Sequence, residues 1–174
     1  MSPSPDVRLA DIDETVLGQL LDLAVQDASP DEVTPPLGTS PGWNAERLAW
    51  FFAYHRAAAS GLDGPALEKS WAVVCDGSLA GSIRLKLTAP AAAGHSTAET
   101  GIWLGRGYRG CGVGSAALRL VLVEARRAGL HGVVARTSAG NVGAQRLLGS
   151  AGAVLTHDDD GTVSAAVVLS TDSQ

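Results

Sequence analysis

The order of elements readable in the 174-residue chain predicts a mixed α/β (α+β) fold, with a central sheet of about seven strands and about four helices. Three observations carry that reading. A glycine-rich loop over 108–115 separates a short apolar strand from a long run of helix formers. Asp76 with Gly77, and Asp160 with Gly161, each stand between apolar runs as hairpin turns. The whole then reads β-α-α-β-β-β-α-β-α-β-β, with no internal repeat.

Taken in order, Val7, Arg8, Leu9 and Ala10 form a first strand, and Asp11 or Asp13 caps a helix running to about Asp27. Its apolar face is Val16, Leu17, Leu20, Leu21 and Ala24. Residues 28–43 hold Pro30, Pro35, Pro36 and Pro41 with two glycines, which predicts a long loop with no regular structure. A second helix follows from about Asn44 to Ser60, ended by Gly61. Leu48, Phe51, Phe52 and His55 share one face of it, so His55 is read as a core histidine. Strands over 71–75 and 79–87 flank the first hairpin turn. In the latter, Ile83, Leu85 and Leu87 alternate with Ser82, Arg84 and Lys86, one dry face and one wet. A loop over 88–97 leads to the central strand at 100–104. After the glycine loop come a helix over 116–128, a strand over 132–137, a short helix from Asn141 to Leu148, and a closing hairpin of 153–157 and 163–169.

Strand, glycine loop and helix together make a phosphate cradle: glycines let backbone approach a ligand, and a helix N-terminus supplies free amides and partial positive charge. A nucleoside-triphosphate loop would end in lysine followed by Ser or Thr, whereas Val113 and Gly114 precede Ser115 here and the only lysines are Lys69 and Lys86. Gly105, Gly107 and Gly110 spell a dinucleotide G-x-G-x-x-G. The next strand ends without the ribose-binding acid, and too little chain follows for a doubly wound sheet.

A third pattern, R/Q-x-x-G-x-G/A, is met by Arg109, Gly112 and Gly114. With an acid on the strand before the loop (Glu99), a strand after the helix, and a short helix opened by Asn141 and followed by Gly152, the chain resembles the GNAT (Gcn5-related) N-acetyltransferases. The resemblance covers about residues 70–169, and the N-terminal third in element order alone. It implies a single domain over 1–174, with acceptor-side helices and loop at about 11–69 and an acetyl-CoA-binding core at about 70–169. Acetyl-CoA (coenzyme A) would lie on Ile102, Trp103 and Leu104, on the loop Arg109, Gly110, Cys111, Gly112, Val113, Gly114 and Ser115, and on Asn141. Cys111 is read as a tolerated small residue, since no histidine is near in sequence to activate it. Glu99 takes the place of a general base that relieves the attacking amine of its proton. The family commonly ends the short helix with a tyrosine that protonates the leaving thiolate. Leu148 stands there, leaving Tyr108, Ser138 or water for that task.

Composition bounds the acceptor. Residues 1–70 hold 11 acids against 4 bases and residues 71–174 hold 7 against 9, a division that suits a cationic acceptor and a polyanionic cofactor. No clustered basic face argues for nucleic acid, no apolar run reaches membrane-spanning length, and the N-terminus lacks a leader pattern, so a cytoplasmic protein is expected. Cys75, Cys111 and four histidines show no metal-ligand spacing. Asp27, Asp31, Glu32 and Glu46 with Trp43, Trp50 and Tyr54 supply acids and aromatics for a small-molecule amine. Residues 31–56 also resemble, more loosely, the aminoglycoside acetyltransferases of the kasugamycin-inactivating kind, which would imply antibiotic resistance by acetylation. Polyamines, amino acids, a protein N-terminus and a non-catalytic acyl-CoA sensor are the other acceptor-side readings. Dimers are common in the family, so a homodimer is among the expectations.

Overall fold

Asp76 (φ 48°) and Gly77 (φ 83°) both adopt the left-handed backbone that a tight two-residue hairpin requires, and they join β2 (Glu68–Cys75) to β3 (Ser78–Leu87). The computed structural model describes residues 3–88 and 96–170. Residues 89–95, the middle of the loop expected over 88–97, lie outside the described residues. β1 (Val7–Ala10) pairs antiparallel with β2, and β3 pairs antiparallel with the central strand β4 (Thr97–Leu104). β5 (Gly132–Ser138), β6 (Val154–His157) and β7 (Thr162–Val168) complete a seven-stranded sheet of order β1-β2-β3-β4-β5-β7-β6. Among the described residues β4 against β5 is the one parallel pair, and it is short: Thr97, Ala98 and Glu99 register with Gly132, Val133 and Val134. Beyond Glu99 the two strands part.

Three of the helices start where an N-cap side chain accepts from their first turn. Asp13 accepts from the Val16 amide at 2.8 Å and opens α1 (Glu14–Asp27). The proline-rich stretch departs from the loop expected over 28–43, because Pro30 sits at the first position of a one-turn helix, α2 (Pro30–Val33). A missing amide costs nothing there, so a residue counted as a breaker begins the turn. The Glu32 carboxylate accepts from the Ser29 amide at 2.9 Å and closes it. Asn44 accepts from the Arg47 amide at 2.9 Å and opens α3 (Ala45–Ala58). α4 (Val113–Arg127) begins three residues before the expected start, which takes Val113 and Gly114 into the helix. Asn141 caps α5 (Val142–Ser150) through the Ala144 amide at 3.1 Å.

Both faces of the sheet are covered. On one, Trp71, Val73, Ile83 and Leu85 meet Ala117, Leu118, Val121 and Leu122 of α4, all buried. On the other, Leu17, Leu20 and Ala24 of α1 and Phe51 of α3 form a second core on which Trp103 packs. The polar face of β3 therefore does not look into bulk water. Ser82 is buried, and Arg84 is only half-exposed, because α1 and α3 roof that side.

Gly81 stands opposite Leu104 beside a register shift at Val73 and Val74, where a Cβ would lie 2.0 Å from the Trp103 carbonyl oxygen. Gly81→Ala is expected to cost about 2–3 kcal/mol, read as a lowered urea midpoint. His55, 4% exposed, accepts or donates one hydrogen bond with Ser70 Oγ at 2.9 Å and meets the Phe51 ring edge-on. Burial pushes its pKa down to about 4. The unfolded chain takes up that proton near pH 6.5 and the folded one only near 4. The stability is thus complete above about pH 6.5, and up to about 3 kcal/mol of it is lost as pH falls towards 4. His55→Gln should flatten that limb in a pH series of urea melts, whereas an unchanged slope would assign it to the carboxylates.

Candidate active site

The parting of β4 from β5 leaves Ile102, Trp103 and Leu104 at the side of a cleft of about 900 Å³, with Thr137 and Ser138 of β5 across it. The glycine loop closes its end. Gly110 (φ 73°) and Gly112 (φ 88°) take left-handed backbone, so each supplies a bend that a side chain would strain. Gly112 is also the N-cap of α4 and caps nothing with a side chain. The amides of Val113, Gly114 and Ser115, the first of the helix, have no carbonyl four residues back to bond and are left for a ligand. At Gly114 a Cβ would come 2.4 Å from Leu147 Cδ1, so glycine is what lets α5 close against α4 and shape the cradle.

Of the residues expected to hold the cofactor, Ile102, Trp103, Leu104, Arg109, Gly110, Gly112, Gly114, Ser115 and Asn141 line this cleft. Val113 points into the core, leaving only its backbone to the loop. Cys111 is exposed and its thiol donates to the Tyr108 carbonyl at 3.2 Å. Arg109 turns away from the amides. Its Nε and Nη2 donate to the Leu104 carbonyl at 3.0 and 2.8 Å, and Nη1 and Nη2 grip Glu32 at 3.1 and 3.0 Å. The guanidinium holds the Glu32 carboxyl below the usual carboxylate range.

A second cleft of about 780 Å³ lies beneath α2 and α3, and Glu32, Ile102 and Trp103 line both. Its floor is the polar face of the sheet. Arg84 Nη2 donates to Glu99 Oε1 at 2.9 Å while Nη1 reaches Glu68 Oε1 at 3.4 Å. Tyr54 donates to the same Glu68 oxygen at 3.0 Å and stacks on Trp50 with ring centroids 4.8 Å apart. Burial, and then the Glu68 charge, push the Tyr54 phenol far above its ordinary range, so it stays a donor. Gly101 lies opposite Arg84 in register, where a Cβ would sit 3.1 Å from Arg84 Nε; its lack of side chain makes room for the guanidinium.

Trp50, Tyr54, Glu32 and Glu99 thus line the acceptor-side cleft as residues of the expected kind. The other expected acids do not line it, and Asp31 lines the cofactor cleft instead. Asp27 accepts from the Gly107 amide at 3.1 Å, and Asp31 pairs with buried Arg47 at 2.7 Å. Glu46, in the first turn of α3, lines neither cleft. Trp43 donates its indole N–H to the Ala28 carbonyl at 3.4 Å and packs on the second core. Tyr108, in a 3₁₀ turn, packs against the main core and lines neither cleft, and Leu148 is buried. Glu68 and Arg84 escaped the sequence reading. The signal for Arg84 was present in the wet alternation of β3, but only the roof of α1 and α3 turns that face into a site.

A model of the acetyltransferase (GNAT) domain matches residues 9–154. No curated protein sequence matches the chain. Among solved structures, the GNAT domain of S. lividans PAT superposes with a TM-score of 0.69 at 19% identity, over 95% of this chain and 90% of that one. RimL, the ribosomal L7/L12 α-N-protein acetyltransferase in complex with coenzyme A, gives 0.70 at 16% identity, over 94% of each. YncA of Salmonella typhimurium, a putative acetyltransferase with acetyl-CoA, gives 0.64 at 18% identity, over 99% and 98%. These comparisons lend no support to the kasugamycin-type likeness. On the family match, the chain belongs to the GNAT acetyltransferases and is an acetyl-CoA-dependent N-acetyltransferase.

Proposed function

We propose that the chain acetylates the primary amine of a small cationic acceptor, seated in the cleft under α2 and α3, by direct transfer. The observation that carries the proposal is the meeting of two clefts at Ile102 and Trp103, with Glu99 on the acceptor side. When bound, acetyl-CoA supplies an acetyl thioester. The backbone amides of 110–115 would hold its pyrophosphate, and the free edge of β4 would pair with its pantetheine arm.

An amine of ordinary basicity arrives protonated and must lose a proton before it can attack. Glu99 lies in the acceptor cleft with one oxygen bonded to Arg84. It accepts that proton, directly or through a water. Trp50, Tyr54 and Trp103 line the same cleft and offer ring faces to a cation. Tyr108 and Leu148 line neither cleft, whereas Ser138 lines the cofactor cleft, so the thiolate takes its proton from Ser138 or from water, as a low-pKa leaving group can. An aminoglycoside amine of the kasugamycin type belongs to the proposed acceptor class, as do polyamines and amino acids. The likeness to RimL favours a second reading, a protein N-terminus, for which the cleft would seat only the terminal residue. With Cys75 and Cys111 both free thiols, the compartment proposed is the cytoplasm.

Glu99→Gln should lower kcat/KM by roughly 10²–10⁴ in a thiol-release assay while leaving the acetyl-CoA Kd within about twofold. Unchanged turnover would remove Glu99 from the chemistry. Gly112→Val forces a branched side chain into positive φ at the cradle and should weaken acetyl-CoA binding by roughly tenfold or more, measured by calorimetry. Equal affinity would show that the loop does not hold the cofactor. Release driven by aminoglycosides, polyamines or amino acids favours the small-amine reading, and release by N-terminal peptides alone favours the second.

A further inference from the structure

We infer that Arg146 reads the 3′-phosphate of the coenzyme's adenosine and so sets a preference for CoA over dephospho-CoA; this rests on the cofactor reading above. Five residues of α5, Gly143, Ala144, Arg146, Leu147 and Ser150, line the cofactor cleft, and four of them, Gly143, Arg146, Leu147 and Ser150, recur at i, i+3, i+4 and i+7 on one face of the helix. Leu147 packs on Gly114, which sets that face against the first turn of α4 and the cradle amides. The coenzyme is a polyanion with three phosphates. Backbone amides and a helix N-terminus suit the pyrophosphate, whose charge is spread over two bridged groups. The remaining monoester is a compact dianion and calls for a fixed cation.

Two guanidinium groups line the cleft. Arg109 has its donors spent on Glu32 and the Leu104 carbonyl. Arg146 is exposed and, among the described residues, enters no ion pair. The acids that line the cleft, Asp31 and Glu32, are held by Arg47 and Arg109, so neither is free to neutralise it. Its planar fork can grip phosphate oxygens in pairs, which a lysine could not. The competing cation is Arg119, one turn beyond Ser115 on α4, exposed and outside the cleft lining.

The test is calorimetric binding of CoA and of dephospho-CoA at low salt to the wild type, Arg146→Gln and Arg119→Gln. The wild type should bind CoA about tenfold more tightly than dephospho-CoA, and raised salt should shrink the gap. Arg146→Gln should bind both alike, at the wild-type affinity for dephospho-CoA, with an unchanged melting temperature. Arg119→Gln should keep the preference. No preference in the wild type, a preference surviving in Arg146→Gln, its loss in Arg119→Gln, or an equal weakening of both ligands by Arg146→Gln would each overturn the inference. Failure of the wild type to bind either ligand would instead sink the cofactor site itself.

Discussion

The whole site depends on how briefly β4 pairs with β5. Three residues on each strand are in register, and after Glu99 the strands diverge. Main-chain donors and acceptors inside a sheet are normally consumed by the neighbouring strand, and an unmet pair of edges is a standing invitation to another extended chain. Here the divergence lies in the middle of the sheet, with α4 and α5 on one side and α1 and α3 on the other. The invitation is thus presented within a walled cleft. The loop after β4 and the start of α4 add free amides at the same end.

Charge is then used mainly to hold the two halves of the site together. Arg109 belongs by sequence to the phosphate loop, yet its guanidinium spans from the end of β4 to Glu32 of α2. Arg84 does the same on the floor, between Glu68 of β2 and Glu99 of β4. Half-exposed pairs of this kind contribute little stability each, of order 0–1 kcal/mol. Their value lies in geometry, because a fork-shaped cation bonded at two ends fixes the relative position of the elements it joins. Arg47 differs: with its side chain 10% exposed, it would be left as an uncompensated buried charge if Asp31 were removed.

Much of this was legible in the sequence. Turn glycines, alternating β3, the cap at Asp13, and the spacing of Arg109, Gly112 and Gly114 are local signals, each with a local physical cause, and they carried the element order and the family. The short α2 was missed because proline acts as a breaker inside a helix and as a favoured first residue at its start, and only the chain's path distinguishes the two. The acids of the N-terminal third were read as free for a cation, since sequence shows a carboxylate without showing its partner. Asp27, Asp31 and Glu32 meet partners 80, 16 and 77 residues away.

By itself, then, the sequence determined which segments turn and cap and which neighbouring strands close into hairpins, because those properties are settled within a few residues of backbone. The tertiary structure decided the rest. It placed Glu68 and Arg84 beside Glu99, set Tyr108 and Leu148 outside both clefts, and put Arg146 on the cleft beside β4 with no ion pair among the described residues. Each of these is a question of which charge or ring meets which across the sheet, and such meetings are fixed by packing between elements distant in the chain.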